Sequence, residues 1–527
     1  MEFNKNSRKK NVLLTSGSGM LNQLWINLIA FVYRTVFLYV LSIEYLGING
    51  LFSNIINIFS LAELGVGSVI VYRLYEPIKR SDLSKTAALM RFYKQFYHLL
   101  AVGIAAAGVS LIPFLDVFIH DLNEVPSDVN IYVVYVLFVI QSVTSYLFVY
   151  KQSILNADQK GYIVLLVQTI GSFLRYSFQI LFLLITKDFM ITLTAGIFVN
   201  ILFNAGFSIY ITRTYAELFK REDRLEKQEK KEIFKDTFAL LCHNIGQTVV
   251  FSTDNLILSS FVGTIAVGIY SNYSLIINAV SSILKSLLGT FTSSIGNYKL
   301  SASSEEVYGL YKKLHFVNMW AVSFCASSLY LLLNPFISVV WNGKKILFSN
   351  DIIVVLCISF FISASRVVNG SFVNGCGLFV RDKIRPLIES TINLVVSIVL
   401  VRRMGTAGVF WGTIISSLLT VWWREPYILY HELFKVSLKN YMAVYFGWLV
   451  LSLTACWGIQ LFFQNMPLTT FFLIVRFVAC AVVINLYFML ITWKTKSFQY
   501  YKDLLWSYAR KKKRKIQDRK SLRKNGE

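Results

Sequence analysis

Long, largely apolar runs broken by short charged stretches dominate this chain. A helix needs about 20 such residues to cross the hydrocarbon core of a bilayer, and on that criterion the sequence predicts about fourteen spans. The first half places them near Ser16–Leu41, Leu46–Tyr72, Phe92–Leu115, Val129–Tyr150, Tyr162–Ile185, Ile191–Tyr215 and Phe238–Val262. The second half places them near Thr264–Ile295, His315–Val340, Ile352–Phe379, Pro386–Val401, Thr406–Trp423, Tyr441–Phe463 and Leu468–Trp493. An all-α membrane protein is the fold class this pattern predicts.

Loop charge should alternate along such a chain, because Lys and Arg collect on the cytoplasmic side. The loop after the third span holds Asp116, Asp121, Glu124 and Asp128 and neither Lys nor Arg. Its neighbours hold Arg73, Lys79, Arg80 and Lys85 on one side, and Lys151 and Lys160 on the other. Lys187, Lys344–Lys345 and Arg402–Arg403 run against the pattern. The balance predicts cytoplasmic N- and C-termini.

One long charged insert, Lys220–Lys235, divides the spans. It reads as a solvated cytoplasmic helix laced with Glu–Lys pairs, linking two lobes. The predicted domains are an N-lobe over 1–219, this linker over 220–235 and a C-lobe over 236–432. Two further helices over 433–493 and a basic cytoplasmic tail over 494–527 complete the chain. A repeat supports the division: Gly47-Ile48, Ser53 and Ile55-Ile56-Asn57 recur at the same spacing as Gly268-Ile269, Ser274 and Ile276-Ile277-Asn278. These motifs mark the second and eighth predicted spans, an even offset, so the halves would be parallel repeats about an axis along the membrane normal.

Composition narrows the class. Of 527 residues, 55% are hydrophobic and 15% charged, and the mean hydropathy is +0.55. That is too little charge to cover a soluble protein of this length. The net charge of +23 would point to nucleic acid in a soluble chain. Here the basic loops and the Arg510–Lys524 tail point instead to the anionic inner leaflet, and no nucleic-acid partner is expected. The six Cys show neither CxxC nor metal-type spacing, so no disulfide framework or zinc site is predicted.

Charges inside predicted spans carry the functional signal, because each costs at least a few kcal/mol in the bilayer and normally faces a cavity. They are Arg34, Glu63, Arg175, Asp254, Lys285, Arg366 and Glu389. Arg34, Arg175 and Arg366 are candidate ligands for a phosphate or diphosphate, which guanidinium groups grip bidentately at any pH. Lys285 and the amide of Asn278 join them as candidate substrate contacts. Asp254, Glu63 and Glu389 are candidates for a gate or an ion-coupling site, with H+ or Na+ left open. Asp254 lies one residue from the repeat equivalent of Arg34, which predicts that the two meet. His243 and His315 are expected to be packed, since nothing pairs them at metal spacing.

The run Arg34…Tyr45-Leu46-Gly47-Ile48-Asn49-Gly50-Leu51…Leu61-Ala62-Glu63-Leu64-Gly65-Val66-Gly67 resembles the opening helices of polysaccharide-repeat flippases of the Wzx type. So does Thr253-Asp254-Asn255-Leu256-Ile257-Leu258 followed by Val267-Gly268-Ile269-Tyr270-Ser271. These flippases belong to the multidrug/oligosaccharidyl-lipid/polysaccharide exporter (MOP) superfamily, beside the lipid II flippase MurJ and the multidrug exporters (MATE). The resemblance implies a bacterial inner-membrane protein of two lobes, about six helices each, working by alternating access. Its cargo would be an undecaprenyl-diphosphate-linked oligosaccharide, with the polysaccharide polymerase machinery as an expected partner. The last two helices look like those that accommodate a lipid tail in the lipid II branch.

Two rivals remain at this stage. A multidrug or small-solute antiporter would use the same fold, usually with carboxylate-centred sites. A lipid-linked glycosyltransferase or repeat-unit polymerase would usually carry a large external loop, and no Asp-x-Asp motif or nucleophile–base set is visible. No phosphate-cradling Gly-rich motif suggests ATP either, and neither catalysis nor a cofactor is expected.

Overall fold

The computed structural model describes residues 5–59, 66–119, 125–289, 291–341, 346–378, 384–504 and 506–507. Among them every regular element is helical. Hydrocarbon offers no partner to a backbone N–H or C=O, so an apolar run satisfies its own backbone as a helix. Eleven helices of the described residues are long and apolar enough to cross a membrane. The chain runs through α1 (Lys5–Val40), α2 (Ile43–Phe59), α3 (Val66–Lys79), α4 (Leu83–Leu111), α5 (Ile131–Val149), α6 (Gly161–Thr186) and α7 (Phe189–Thr214). It continues through α8 (Lys227–Phe261), α9 (Thr264–Gly289), α10 (Ser304–Val340), α11 (Asn350–Ser365), α12 (Val367–Gly375) and α13 (Arg385–Met404). Then follow α14 (Thr406–Leu419), α15 (Val421–Ile428), α16 (Lys439–Phe463), α17 (Thr470–Ala479) and α18 (Asn485–Thr492).

Two compact units divide these helices. The first comprises residues 1–287, 340–362 and 379–424, the second 288–339, 363–378 and 425–527. Among the described residues the first unit has an apolar centre of Leu258, Val267, Val401 and Val409, and two larger ones. Phe37, Leu51, Phe52, Val134, Tyr135 and Leu183 form one, and Leu74, Tyr93, Tyr97, Ile154, Ile211 and Ile233 form the other. Between α2 and α9 the two copies of the repeat touch. A β-carbon on Gly47 would run into the Thr264 carbonyl oxygen, and one on Gly268 would lie 2.6 Å from that of Ile43. Each oxygen belongs to the residue four before the opposite glycine, so the contact is reciprocal. The second unit is built on aromatic rings: His315 stacks on Tyr441 with centroids 5.3 Å apart, and Tyr311 packs on His315 at 5.2 Å.

The charged insert behaves differently from its expectation as a solvated helix with internal Glu–Lys pairs. Leu225 and Ile233 are buried in the core under α3 and α4. Its acidic residues pair outward: Glu229 with Lys85, Glu232 with Arg73 at 3.6 Å, and Glu222 with Arg91 at 3.6 Å. Two apolar residues eight apart give the segment a face to bury, and the carboxylates then meet the basic ends of α3 and α4.

The glycine contact makes a prediction. Gly268→Val should cost about 1–3 kcal/mol or more, because the new atoms meet backbone that cannot move aside cheaply. Gly206→Ala, which meets nothing within 4 Å, should be tolerated. Thermal unfolding of the two purified variants in one detergent checks this; equal melting temperatures would refute it.

Candidate functional site

The helix α1 carries Gln23, Asn27 and Arg34 at offsets of four and seven, which puts them on one face. That face meets α9. Asn27 donates to Ser282 Oγ at 3.1 Å, and Arg34 Nη1 donates to Ser271 Oγ at 2.6 Å and to Asn272 Oδ1 at 2.9 Å. Ser271, Asn278 and Lys285 stand seven residues apart and share a stripe of α9, so Arg34, Asn278 and Lys285 are brought to one surface. On its other side α1 meets α6, where Thr169 donates to Asn22 Oδ1 at 2.6 Å. The Arg175 guanidinium lies over the Tyr176 ring at 4.6 Å, and Tyr176 packs on Tyr33 at 5.2 Å. Arg34 and Arg175 therefore flank one pair of tyrosines. Neither forms an ion pair with a described carboxylate. Both guanidinium groups are thus met by hydroxyl, amide and ring groups rather than by a described carboxylate.

Asp254, on α8, is buried and meets α13 and α14. Its Oδ2 accepts from Thr413 Oγ1 at 2.8 Å, and Asn393 Nδ2 donates to that same Oγ1 at 3.0 Å. Asp254 Oδ1 and Asn393 Oδ1 are buried with no hydrogen-bond partner. Gly412 leaves room for Ser397, whose Oγ donates to the Val409 carbonyl at 3.2 Å. The cluster sets one carboxylate beside a hydroxyl and an amide whose oxygen has no hydrogen-bond partner, oxygens that suit a proton or a hard monovalent cation. Among the described residues no group of three His, Cys, Asp or Glu could hold a metal ion. The predicted meeting of Arg34 with Asp254 is absent: each is engaged by neutral partners, because α9 and α14 respectively supply them first.

Two other candidates are neutralised locally. Glu389 accepts from Arg385 Nη1 at 2.6 Å, one helical turn earlier, and from Ser417 Oγ at 3.1 Å. Arg366, between α11 and α12 in the second unit, grips Glu425 bidentately through Nε at 3.2 Å and Nη2 at 2.7 Å. Glu63 lies outside the described residues. Arg385 and Glu425 escaped the sequence reading because both fall just beyond predicted span ends, at Pro386 and Trp423. Thr413 and Asn393 escaped it because lone polar residues in apolar helices are common. Pairing a known intramembrane carboxylate with amides and hydroxyls on neighbouring spans is the signal that could have found them.

The polysaccharide biosynthesis protein family model matches residues 9–292, more than half of the chain. The chain belongs to that family. The solved structure of lipid II flippase MurJ in an inward closed conformation is similar to this family member, with 12% identity and a TM-score of 0.63. That match covers 94% of this chain and 100% of the other. An inward-facing multidrug resistance MATE transporter of the MOP superfamily matches with 13% identity and a TM-score of 0.59, over 77% of this chain and 91% of that one. No curated protein matches the sequence. The chain shares the fold of these two structures, and its described residues hold eleven helices long and apolar enough to cross a membrane.

For the Arg366–Glu425 pair the expected outcome is asymmetric. Glu425→Ala removes the carboxylate that the half-buried Arg366 guanidinium grips and should destabilise the protein by about 1.5–3 kcal/mol, the value of hydrogen bonds to a charged group. Replacing both partners, Arg366→Met with Glu425→Leu, should recover most of that loss. Unfolding midpoints of the single and double variants decide it, and a double variant no better than the single would contradict it.

Proposed function

We propose that this polysaccharide biosynthesis family member is a flippase that moves undecaprenyl-diphosphate-linked oligosaccharide repeat units across the bacterial inner membrane. The observation that carries the reading is the pair Arg34 and Arg175, charged, unneutralised by any described carboxylate and flanking Tyr33 and Tyr176. A diphosphate is the substrate group that would neutralise them, through charge-assisted and bidentate hydrogen bonds. Asn278 and Lys285 extend the polar stripe toward the sugars. The apolar groove of about 420 Å³ between α16 and the last helices, lined by Gly458, Phe462, Val483 and Tyr487 among others, supports the placing of a polyprenyl tail there.

In this reading the two lobes, 1–219 and 236–432, rock in alternating access, with both termini cytoplasmic. The reciprocal contact of Gly47 and Gly268 supports pairing of the repeats. Asp254 with Asn393 and Thr413 would bind the coupling H+ or Na+, since one carboxylate among neutral oxygens suits a single positive charge. Transport makes and breaks no covalent bond, so the reading assigns no catalytic residue. The product would pass to the polymerase machinery outside.

Loss of the protein should trap the glycolipid inside while its synthesis continues, as read by an impermeant sugar-labelling reagent applied to intact cells. Arg34→Ala and Arg175→Ala, at normal expression, should each slow labelling by about tenfold or more, the value of a hydrogen bond to a charged group. A glycolipid that reaches the outside but is not extended would favour the polymerase reading; unchanged labelling would favour the antiporter.

Asp254→Asn removes the charge and keeps the shape. It should abolish the response of flipping to an imposed proton or sodium gradient in vesicles while leaving glycolipid binding intact. A full gradient response in this variant would move the coupling site elsewhere.

A further inference from the structure

A second polar site lies apart from these residues. Where the charged insert docks on α3 and α4 it leaves a cleft of about 660 Å³, within the roughly 300–1,000 Å³ of ordinary ligand sites. Tyr72 and Tyr75, one turn apart on α3, line it and are 75% and 47% exposed. The opposite face of α3 is anchored by buried Leu74 and Ile78, so the tyrosines are held outward on a rigid element. Across the cleft stands the insert, with Glu229 and the buried Leu225 and Ile233.

Its charges identify the ligand class. Arg73, Arg80 and Lys85 line the cleft, and so do Glu76, Asp82 and Glu229, three of each sign. The three cations are paired: Arg80 with Glu76 at 2.6 Å, Lys85 with Glu229, and Arg73 with Glu232 just beyond at 3.6 Å, while Asp82 caps α4 by accepting from the Lys85 backbone N–H at 2.9 Å. A phosphate would need unbalanced positive charge, and a lipid tail would need an apolar lining. A neutral polyol needs what is present: planar groups that offer donors and acceptors side by side, and aromatic faces for the apolar side of a ring.

We propose that this cleft binds carbohydrate, and that its ligand is the oligosaccharide head group of the cargo assigned above. Only that last identity rests on the flippase reading. The basic residues at this end of α3 and α4 mark the side that the charge rule makes cytoplasmic, so the cleft would receive the glycan before translocation. Tyr72 and Tyr75 then sandwich or flank a sugar ring, and the Arg80–Glu76 and Lys85–Glu229 pairs bridge its hydroxyls.

The test uses the purified full-length chain in detergent and a probe without lipid: oligosaccharides released by mild acid from the host cell's own surface polysaccharide. Saturation-transfer NMR and calorimetry should detect binding by the wild type. The double variant Tyr72→Ala/Tyr75→Ala should weaken it by at least about tenfold, the loss of two aromatic faces. Both side chains are exposed, so the fold should survive, and an unchanged melting temperature checks that. Trp457→Ala, an exposed aromatic outside the cleft, should bind as the wild type does. No binding by the wild type, or equal binding by the double variant, overturns the proposal; the latter would make the tyrosines ordinary residues of the interfacial aromatic belt. Because the probe carries neither diphosphate nor tail, the result stands or falls independently of the labelling experiment.

Discussion

An ionised side chain at the centre of a bilayer costs at least about 2.5–3.5 kcal/mol on insertion scales, and this chain carries several charged residues within or beside its apolar helices. How each is accommodated organises the rest of the molecule. Arg366 takes Glu425 and Arg385 takes Glu389, so these pairs neutralise themselves within their own unit. Asp254 accepts from the Thr413 hydroxyl, which the Asn393 amide in turn holds. Arg34 is held by Ser271 and Asn272, and Arg175 by a ring face. The last three groups are met by neutral partners rather than by an opposite charge, and they carry the functional argument. The Arg366–Glu425 pair ties α15 to the junction of α11 and α12, and the Arg385–Glu389 pair lies along α13 alone.

Close backbone approach is the second constraint. Without aqueous hydrophobic driving force, helices in lipid associate through packing and small residues. The contact of Gly47 with Thr264 and of Gly268 with Ile43 is of this kind, and it brings α9 to where Ser271 and Asn272 can meet Arg34. Structure and site are thus linked by a few ångströms of backbone clearance. The same logic recurs at Gly412, whose missing side chain admits Ser397 beside the Asp254 cluster.

Outside the apolar spans, the insert after α7 ties itself to α3 and α4 by two buried aliphatic residues and three ion pairs. It leaves a cleft whose charges cancel. Exposed ion pairs contribute little to stability, so their placement says more about recognition and register than about folding energy.

The sequence by itself determined the class, the helices and the identity of Arg34, Arg175 and Asp254 as notable. Those follow from local quantities, namely apolar run length, loop charge and the cost of a charge within a run. The Gly47 and Gly268 repeat was also legible, because self-similarity needs no coordinates. Tertiary structure alone decided which charges are neutralised, since Glu425 and Arg385 lie beyond the edges of their spans and pairing depends on helix rotation and depth. It alone placed Thr413 and Asn393 on Asp254, residues with no local mark of function. And it alone turned a charged insert, whose composition reads as solvated, into a docked wall of a cleft, because burial of Leu225 and Ile233 depends on what faces them in space.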